Sequence, residues 1–215
     1  MGDIILAGST SGSITVAPPA VAGSGTLTLP TGTDTLVGLA ATQTLTNKSI
    51  VATQLTGTVA AARLPAGSVV QVVNLSTGAL ATGTTIIPHD DTIPQITEGN
   101  QYMSLAITPT SATNLLLIQV VCNTANSAND QMKTALFKDA VADALAVVNH
   151  YAAGVNNLTP SAFSHWMVAG TTSAITFTVR AGLSSAGTTS FNGSAGARMY
   201  GGVVASSITI MEIVA

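Results

Sequence analysis

The stretch Leu-Leu-Leu-Ile-Gln-Val-Val-Cys at residues 115–122 is a near-continuous apolar run. Successive side chains of a β-strand point to opposite faces of its sheet, so a run of this kind places apolar groups on both faces. Strands of that composition occur where both faces are covered. The run therefore predicts a strand buried on both faces inside an all-β domain.

Shorter segments around this run alternate apolar and polar residues, as half-buried strands do. The segments lie at residues 103–107, 134–138, 163–169, 175–179 and 208–213. Residues 145–148 fit a strand, although a short helix over 140–148 fits nearly as well. Asn192-Gly193 favours a β-hairpin turn. About eight to ten short strands predict a β-sandwich, jelly-roll-like, of roughly 130 residues.

The first hundred residues have a different composition from the rest. The first aromatic residue is Tyr102, and residues 1–85 carry only four charged side chains. A segment rich in Gly and Thr has little apolar area to offset the entropy lost on folding. Short β segments are expected at 4–6, 14–16, 26–29 and 35–37, broken by turns and prolines. We expect them to form an extended oligomeric stalk, in which small apolar residues pack against other copies of the chain.

The predicted organisation has three parts. Residues 1–45 form the N-terminal attachment and stalk segment, residues 46–83 the stalk and neck, and residues 84–215 the β-sandwich head. Residues 40–66 fit either extended chain or short helices around 40–41 and 59–63. Within the neck, residues 68–74 begin a stronger β run.

Composition excludes several classes of protein. Of 215 residues only 7% are charged, and the net charge is -3, so the basic surface of a nucleic-acid-binding protein is absent. No window approaches the roughly 18 consecutive apolar residues of a membrane span, so membrane insertion is not expected. The start, Met1-Gly2-Asp3, has no positive region, so a secretory signal is not expected. The single cysteine, Cys122, is expected to be an inert core thiol.

Residues 36–50 (LVGLAATQTLTNKSI) resemble a segment common in bacteriophage tail fibres and related virion proteins. Residues 55–59 and 62–73 resemble the junction between the stalk and the head of such fibres. Parts of the head have similar counterparts: 93–95 with 98–99, 135–139, 176–180 and 212–213.

This resemblance implies a homotrimer at the virion surface, assembled in the host cytoplasm. Its N-terminal segment would hold a phage tail, baseplate or capsid protein. Its β head would point outward and bind a host cell-surface glycan or protein.

Exposed aromatic and histidine side chains are the usual sugar-stacking groups of a fibre head. The candidate receptor-binding residues are Tyr151, His165, Trp166 and Tyr200. For Tyr151 and Trp166, burial in the core is the main alternative. Arg180 and Glu212 lie in apolar strands, and a buried charge needs a partner. We therefore expect a structural ion pair of Glu212 with Arg180 or with Arg198.

Catalytic and metal-binding motifs are absent from the sequence. His89-Asp90-Asp91 is the densest polar cluster, and its position after Pro88 favours a solvated turn over a metal or acid–base site. There is no Gly-x-Ser-x-Gly elbow and no His-Glu-x-x-His motif. The expectation is a non-enzymatic structural protein without cofactor or metal. The alternatives are a capsid-surface decoration protein, a polysaccharide-degrading tail spike and an ice-binding adhesin.

Overall fold

The computed structural model describes residues 4–7, 13–16, 57, 59–151 and 154–215. The chain divides into two compact units, residues 1–56 and 57–215. In the first unit, β1 (Ile4–Ala7) pairs antiparallel with β2 (Ser13–Val16). The predicted strands at 26–29 and 35–37, the segment at 36–50 and the predicted trimeric stalk packing lie outside the described residues.

The regular secondary structure of the second unit is almost entirely β-strand, which confirms the all-β prediction. Its strands are β3 (Val69–Thr77), β4 (Ala81–Gly83), β5 (Asn100–Ile107), β6 (Leu115–Asn126), β7 (Gln131–Lys138), β8 (Ala146–Tyr151), β9 (Thr159–Val168), β10 (Ile175–Leu183), β11 (Thr189–Phe191), β12 (Gly193–Ser194), β13 (Ala197–Arg198) and β14 (Ser206–Ile213).

The eight long strands form two antiparallel four-stranded sheets. The first has the order β3-β14-β6-β9, with β11 and β4 continuing beside the end of β6, and the second has the order β5-β10-β7-β8. If the long strands are numbered 1 to 8 along the chain, the orders are 1-8-3-6 and 2-7-4-5. This is the strand order of a jelly roll, so the prediction of a jelly-roll-like β-sandwich is confirmed.

The core lies between the two sheets and is built by strict alternation. On β6, Leu116, Ile118, Val120 and Cys122 are buried and pack in one cluster with side chains from the facing sheet. Those facing side chains include Met103, Leu136, Phe177 and Val179. At one end Tyr102 stacks on Phe191, with ring centroids 4.8 Å apart.

The alternation on β6 corrects one expectation. The residues between the buried ones, Leu115, Leu117, Gln119 and Val121, are partly or largely exposed on the outer face of the sheet. Within a single chain the run at 115–122 is therefore buried on one face only, because no other element of the described chain packs against its second face.

Residues assigned to the neck contribute directly to the sandwich. β3 is an edge strand paired along its length with β14, with Val73 opposite Ile210. Gly67 N–H donates to Val214 O (2.8 Å), and Val214 N–H donates to Ser68 O (2.9 Å). The chain therefore approaches the sandwich at the end where β14 finishes.

One local prediction changes, and the strand alternative at residues 145–148 is confirmed. Asn192 has a positive φ of 54° but lies at the corner between β11 and β12, where its amide donates to Thr77 O and Ala79 O. The hairpin instead turns at Ala195-Gly196, both with positive φ, between β12 and β13. Residues 146–151 form a strand, not a helix, and a single 3-10 turn spans Ala61–Arg63.

The two faces of β6 predict different costs of mutation. Ile118→Ala should lower the free energy of unfolding by about 2–5 kcal/mol, because Ile118 is fully buried and a cavity would remain. Its neighbour Gln119 is exposed, and Gln119→Ala should change stability by less than about 0.5 kcal/mol. Urea unfolding at one chain concentration measures both. Equal losses for the two variants would contradict the one-faced core.

Candidate functional site

The four candidate receptor-binding residues do not form one site. Trp166 faces outward from the first sheet, where 53% of its surface is exposed. Tyr151 faces outward from the second sheet and is 59% exposed. Tyr200 begins the 3-10 turn Tyr200–Gly202 and is exposed. Tyr151 and Trp166 are therefore surface residues, not core residues, and they lie on opposite faces of the sandwich.

His165 points the other way from Trp166, toward the inside of the sandwich, and is only partly exposed. Burial lowers the pKa of both His165 and His150. His150 Nδ1 lies 3.1 Å from the Ser161 hydroxyl. Ser161 is buried, so this contact links β8 and β9, which belong to different sheets, and presents no open nucleophile to a substrate.

Arg180 and Glu212, both of which the structure describes, do not pair with each other. Arg180 projects from β10 and donates to the carbonyl oxygens of Glu98 and Gly99, each at 2.8 Å. Glu212 lies on β14 in the other sheet and accepts hydrogen bonds from the loop between β5 and β6. Amide and hydroxyl dipoles therefore stabilise the charges of Arg180 and Glu212, in place of an opposite charge.

The Glu212 carboxylate holds that loop together. Its Oε1 accepts from Thr110 N–H (2.8 Å), the Thr110 hydroxyl (2.7 Å) and Asn114 Nδ2 (2.7 Å). The Gln71 amide, oriented so that its nitrogen faces acceptors, donates to Oε2 at 3.1 Å. Burial raises the pKa of Glu212, but the hydrogen bonds to the charged form outweigh it, and the pKa lies below its usual value.

Residues 84–99, called the covering loop below, lie over the outer face of the second sheet. Ile87 of this loop is fully buried against Ala135 and Phe137 of β7. A side chain at Gly182 would meet the loop backbone, since its Cβ would lie 2.6 Å from Thr85 O. Gln95 Nε2 donates to Asp143 Oδ1 (2.9 Å), and Ile96 N–H donates to Ala142 O (2.7 Å), which fix the loop to the β7–β8 turn.

A groove runs between the covering loop and β8. One part, of about 410 Å³, lies between residues 90–94 and residues 144–147. It adjoins a smaller part, of about 120 Å³, lined by His89, Asp90, Lys133, Val147 and Asn149 among others. The two parts share Asp90, Thr92, Pro94 and Val147. We call the two parts together the groove.

The groove contains both hydrogen-bond donors and acceptors. Lys133 lies on the outer face of β7 and is only 4% exposed, and its ammonium donates to the Ser184 hydroxyl. Asn149 Nδ2 donates to Gln131 Oε1, and Gln131 Nε2 is 3.5 Å from His89 Nε2. Tyr151 projects from the same face of β8, two residues beyond Asn149. Val147 adds an exposed apolar wall.

The charges of the groove are close enough to affect one another. Burial lowers the pKa of Lys133, and the carboxylates of Asp130 and Asp90 oppose this effect without cancelling it. Hydrogen bonds from the side chain and backbone of Thr92 lower the pKa of Asp90, with Oδ1 accepting from Thr92 N–H at 2.9 Å. One oxygen of Asp90 thus fixes the turn, as the sequence predicted, while the carboxylate also lines the groove.

Sequence reasoning did not find this groove. It identified His89-Asp90-Asp91 and Tyr151 but had no reason to join them, since Lys133 and Asn149 come from strands that are far away in sequence. The signal it could have used was Lys133, which lies inside the strand between Met132 and the run Thr134-Ala135-Leu136-Phe137. A lysine there must reach a polar surface or a partner.

Some absences hold for the described part of the chain. There, no three His, Cys, Asp or Glu side chains come together in a way that would hold a metal ion. No helix among the described residues is long and apolar enough to span a membrane. Cys122 is fully buried, and burial raises the pKa of its thiol to about 12.

No protein-family model matches the chain, and a search of curated proteins finds no match. Among solved structures, the sugar-binding EclA C-terminal domain is similar over 57% of this chain and 79% of its own, at 17% identity and a TM-score of 0.33. Infectious bursal disease virus, Gt strain, is similar over 75% of this chain, at 16% identity and a TM-score of 0.36. Latent PorU from Porphyromonas gingivalis is similar over 69% of this chain, at 6% identity and a TM-score of 0.31. The chain spans only 43% and 13% of the latter two proteins. Similarities at these TM-scores assign neither a family nor a function to this chain.

Glu212 gives a prediction with a defined pH dependence. Its folded-state pKa lies below the ordinary value of 4.5, so its stabilising effect is present above about pH 4.5 and is lost as pH falls through the folded-state pKa. Glu212→Gln should lower the free energy of unfolding at pH 7 by about 2–3 kcal/mol. The difference from wild type should shrink as pH falls from about 4.5 through the lower folded-state pKa, where the wild-type carboxylate becomes protonated.

Urea unfolding over a pH series at one chain concentration measures this difference. Asp91→Asn is the matched control, because Asp91 is an exposed carboxylate and its removal should change the free energy of unfolding by less than about 0.5 kcal/mol. A Glu212→Gln variant as stable as wild type at pH 7 would show that the carboxylate does not hold the loop.

Proposed function

We propose that this chain is a non-enzymatic, homotrimeric structural protein at the surface of a phage particle, with its N-terminal segment attached to a tail, baseplate or capsid protein. Its jelly-roll head binds carbohydrate on the host surface. The groove between the covering loop and β8 is the observation that supports the binding role. The resemblance of residues 36–50 to a segment of phage fibres supports the assignment to a phage particle.

The chemistry of the groove suits a sugar. A saccharide hydroxyl both donates and accepts hydrogen bonds, so its site needs donors and acceptors close together. Lys133 and Asn149 supply donors, and Asp90 supplies an acceptor. Val147 and the exposed ring of Tyr151 on the same face can contact the apolar face of a sugar ring. Most ligand sites likewise combine apolar walls with a few placed polar groups.

The size and openness of the groove fit a short stretch of polysaccharide better than a large folded partner. A volume of about 410 Å³ in its larger part lies within the range of small-ligand sites. Binding by one such groove is expected to be weak. Three heads on one stalk would convert weak contacts into avidity on a surface that repeats the same glycan.

The polar groups of the groove suit saccharide binding better than glycoside hydrolysis. A glycosidase needs two carboxylates on opposite sides of the scissile bond. Asp90 and Asp91 are adjacent in one turn, and Asp90 is hydrogen-bonded to Thr92 in that turn. Other polar groups of the groove, among them His89, Lys133 and Asn149, fit ligand binding without bond cleavage.

The proposal is tested by measuring binding of the whole chain to an array of bacterial surface polysaccharides. Calorimetry then measures the affinity for the oligosaccharide that binds most strongly. Asn149→Ala and His89→Ala should each weaken binding at least about tenfold. Both side chains are exposed, so the fold should be unchanged by circular dichroism. Ser104→Ala, on the outer face of β5, should bind like wild type.

Two results would overturn the proposal. One is the absence of any saccharide binding by the intact oligomer, and the other is wild-type affinity in both groove variants. Release of reducing sugar from the bound polysaccharide would instead replace the binding role with an enzymatic one.

A further inference from the structure

The outer face of the first sheet carries two complete apolar rows. Strand register places Val72, Met211, Leu117 and Trp166 side by side across β3, β14, β6 and β9. The next row toward the end of the sheet contains Val69, Ile213, Leu115 and Val168 in the same order. We call these eight side chains the apolar band.

The band is open to solvent in the single chain. Val69, Val72, Trp166 and Val168 at its edges are 49–54% exposed, and the four central residues are partly exposed. The four strands, all of them described, contain a single charged residue, Glu212, which faces inward. Two adjacent rows of large apolar groups without a charge are typical of a surface that is covered in the working protein.

The band ends sharply, which distinguishes it from a generally apolar surface. The next row, Asn74, Thr209, Gln119 and Ser164, is polar. Within it Asn74 Nδ2 donates to Thr209 Oγ1 at 2.8 Å. The two complete apolar rows are therefore confined to one end of the face.

That end is where the preceding chain arrives. The hydrogen bonds between Gly67, Ser68 and Val214 fix the residues before β3 beside the row that contains Val69 and Ile213. The band therefore lies at the end of the sandwich where the chain enters β3, and a surface at that end suits contact between copies of the proposed homotrimer.

We infer that the apolar band is the contact surface between heads, and that its occupant is the band of another copy of this chain. The inference deepens the proposed function, because it rests on the homotrimer and names the surface that joins its heads. It gives Trp166 a role in assembly instead of receptor contact. It also explains why the run at 115–122 is apolar on both faces although its own chain covers only one.

Trp166 is the single tryptophan of the chain, so its fluorescence reports on the band directly. In the full-length wild-type oligomer we expect blue-shifted emission and protection from acrylamide. In Val72→Asp, one row neighbour carries a charge that has no partner in the contact. We expect red-shifted emission, an increase of several-fold in the quenching constant and a smaller mass by light scattering.

Asn74→Asp is the matched control, since it places the same charge on the same strand and face, one row beyond the band. It should keep wild-type mass and quenching. Trp166→Ala should weaken assembly and leave monovalent saccharide affinity unchanged.

A chemical cross-link separates contact between heads from association through the stalk. Val72→Cys should cross-link between copies with a short bis-maleimide, whereas Ser104→Cys on the opposite sheet should not. Wild type should not react, because Cys122 is fully buried.

Three results would overturn the inference: a wild-type oligomer whose Trp166 is quenched like a free indole, a monomer whose Trp166 is protected, or equal cross-linking at positions 72 and 104. The protected monomer would assign the band to the chain's own N-terminal segment. Failure of saccharide binding with a protected band would overturn the proposed binding role alone.

Discussion

The rest of the structure depends on a strand that is apolar on both faces while its own chain covers one. β6 contributes Leu116, Ile118, Val120 and Cys122 to the core between the sheets, and it leaves Leu115 and Leu117 on the outside. It pairs with β14 and then β11 along one side and with β9 along the other, so its register sets which residues of those strands share its outer face. The core and the apolar band are therefore two consequences of one strand.

The outer faces of the two sheets differ in how they are covered. The covering loop buries Phe137 and Ala135 on the outer face of the second sheet, and the edge of this cover creates the groove. The first sheet has no such cover among the described residues, and its outer face lacks charge. The charged side chains Lys133 and Arg180 both belong to the covered sheet, where backbone and hydroxyl groups of neighbouring segments receive them. The second sheet thus carries the polar groove, and the first sheet carries the apolar band.

The low number of charges also explains how the buried charges are stabilised. With 7% charged residues, opposite charges seldom meet inside the sandwich. Glu212 is held by Thr110, Asn114 and Gln71, and Arg180 by two carbonyl oxygens. Hydrogen bonds to an ionised group are stronger than those between neutral groups, which lets a few dipoles replace an ion pair. The predicted ion pair of Arg180 with Glu212 was wrong because the two residues lie in different sheets. Both strands are apolar, and their patterns do not reveal to which sheet each belongs.

The sequence by itself determined the all-β class, the positions of most long strands and the turn at Asp90, because alternation and turn residues are local properties of the chain. It also identified residues 115–122 as apolar on both faces. Only the tertiary structure decided that Lys133 and Asn149 join His89 and Asp90 in one groove, that Trp166 shares a row with Val72, and that Arg180 and Glu212 are apart. Each of these depends on strand order and register between segments distant in the chain, and the jelly-roll connections set those relations while local sequence does not.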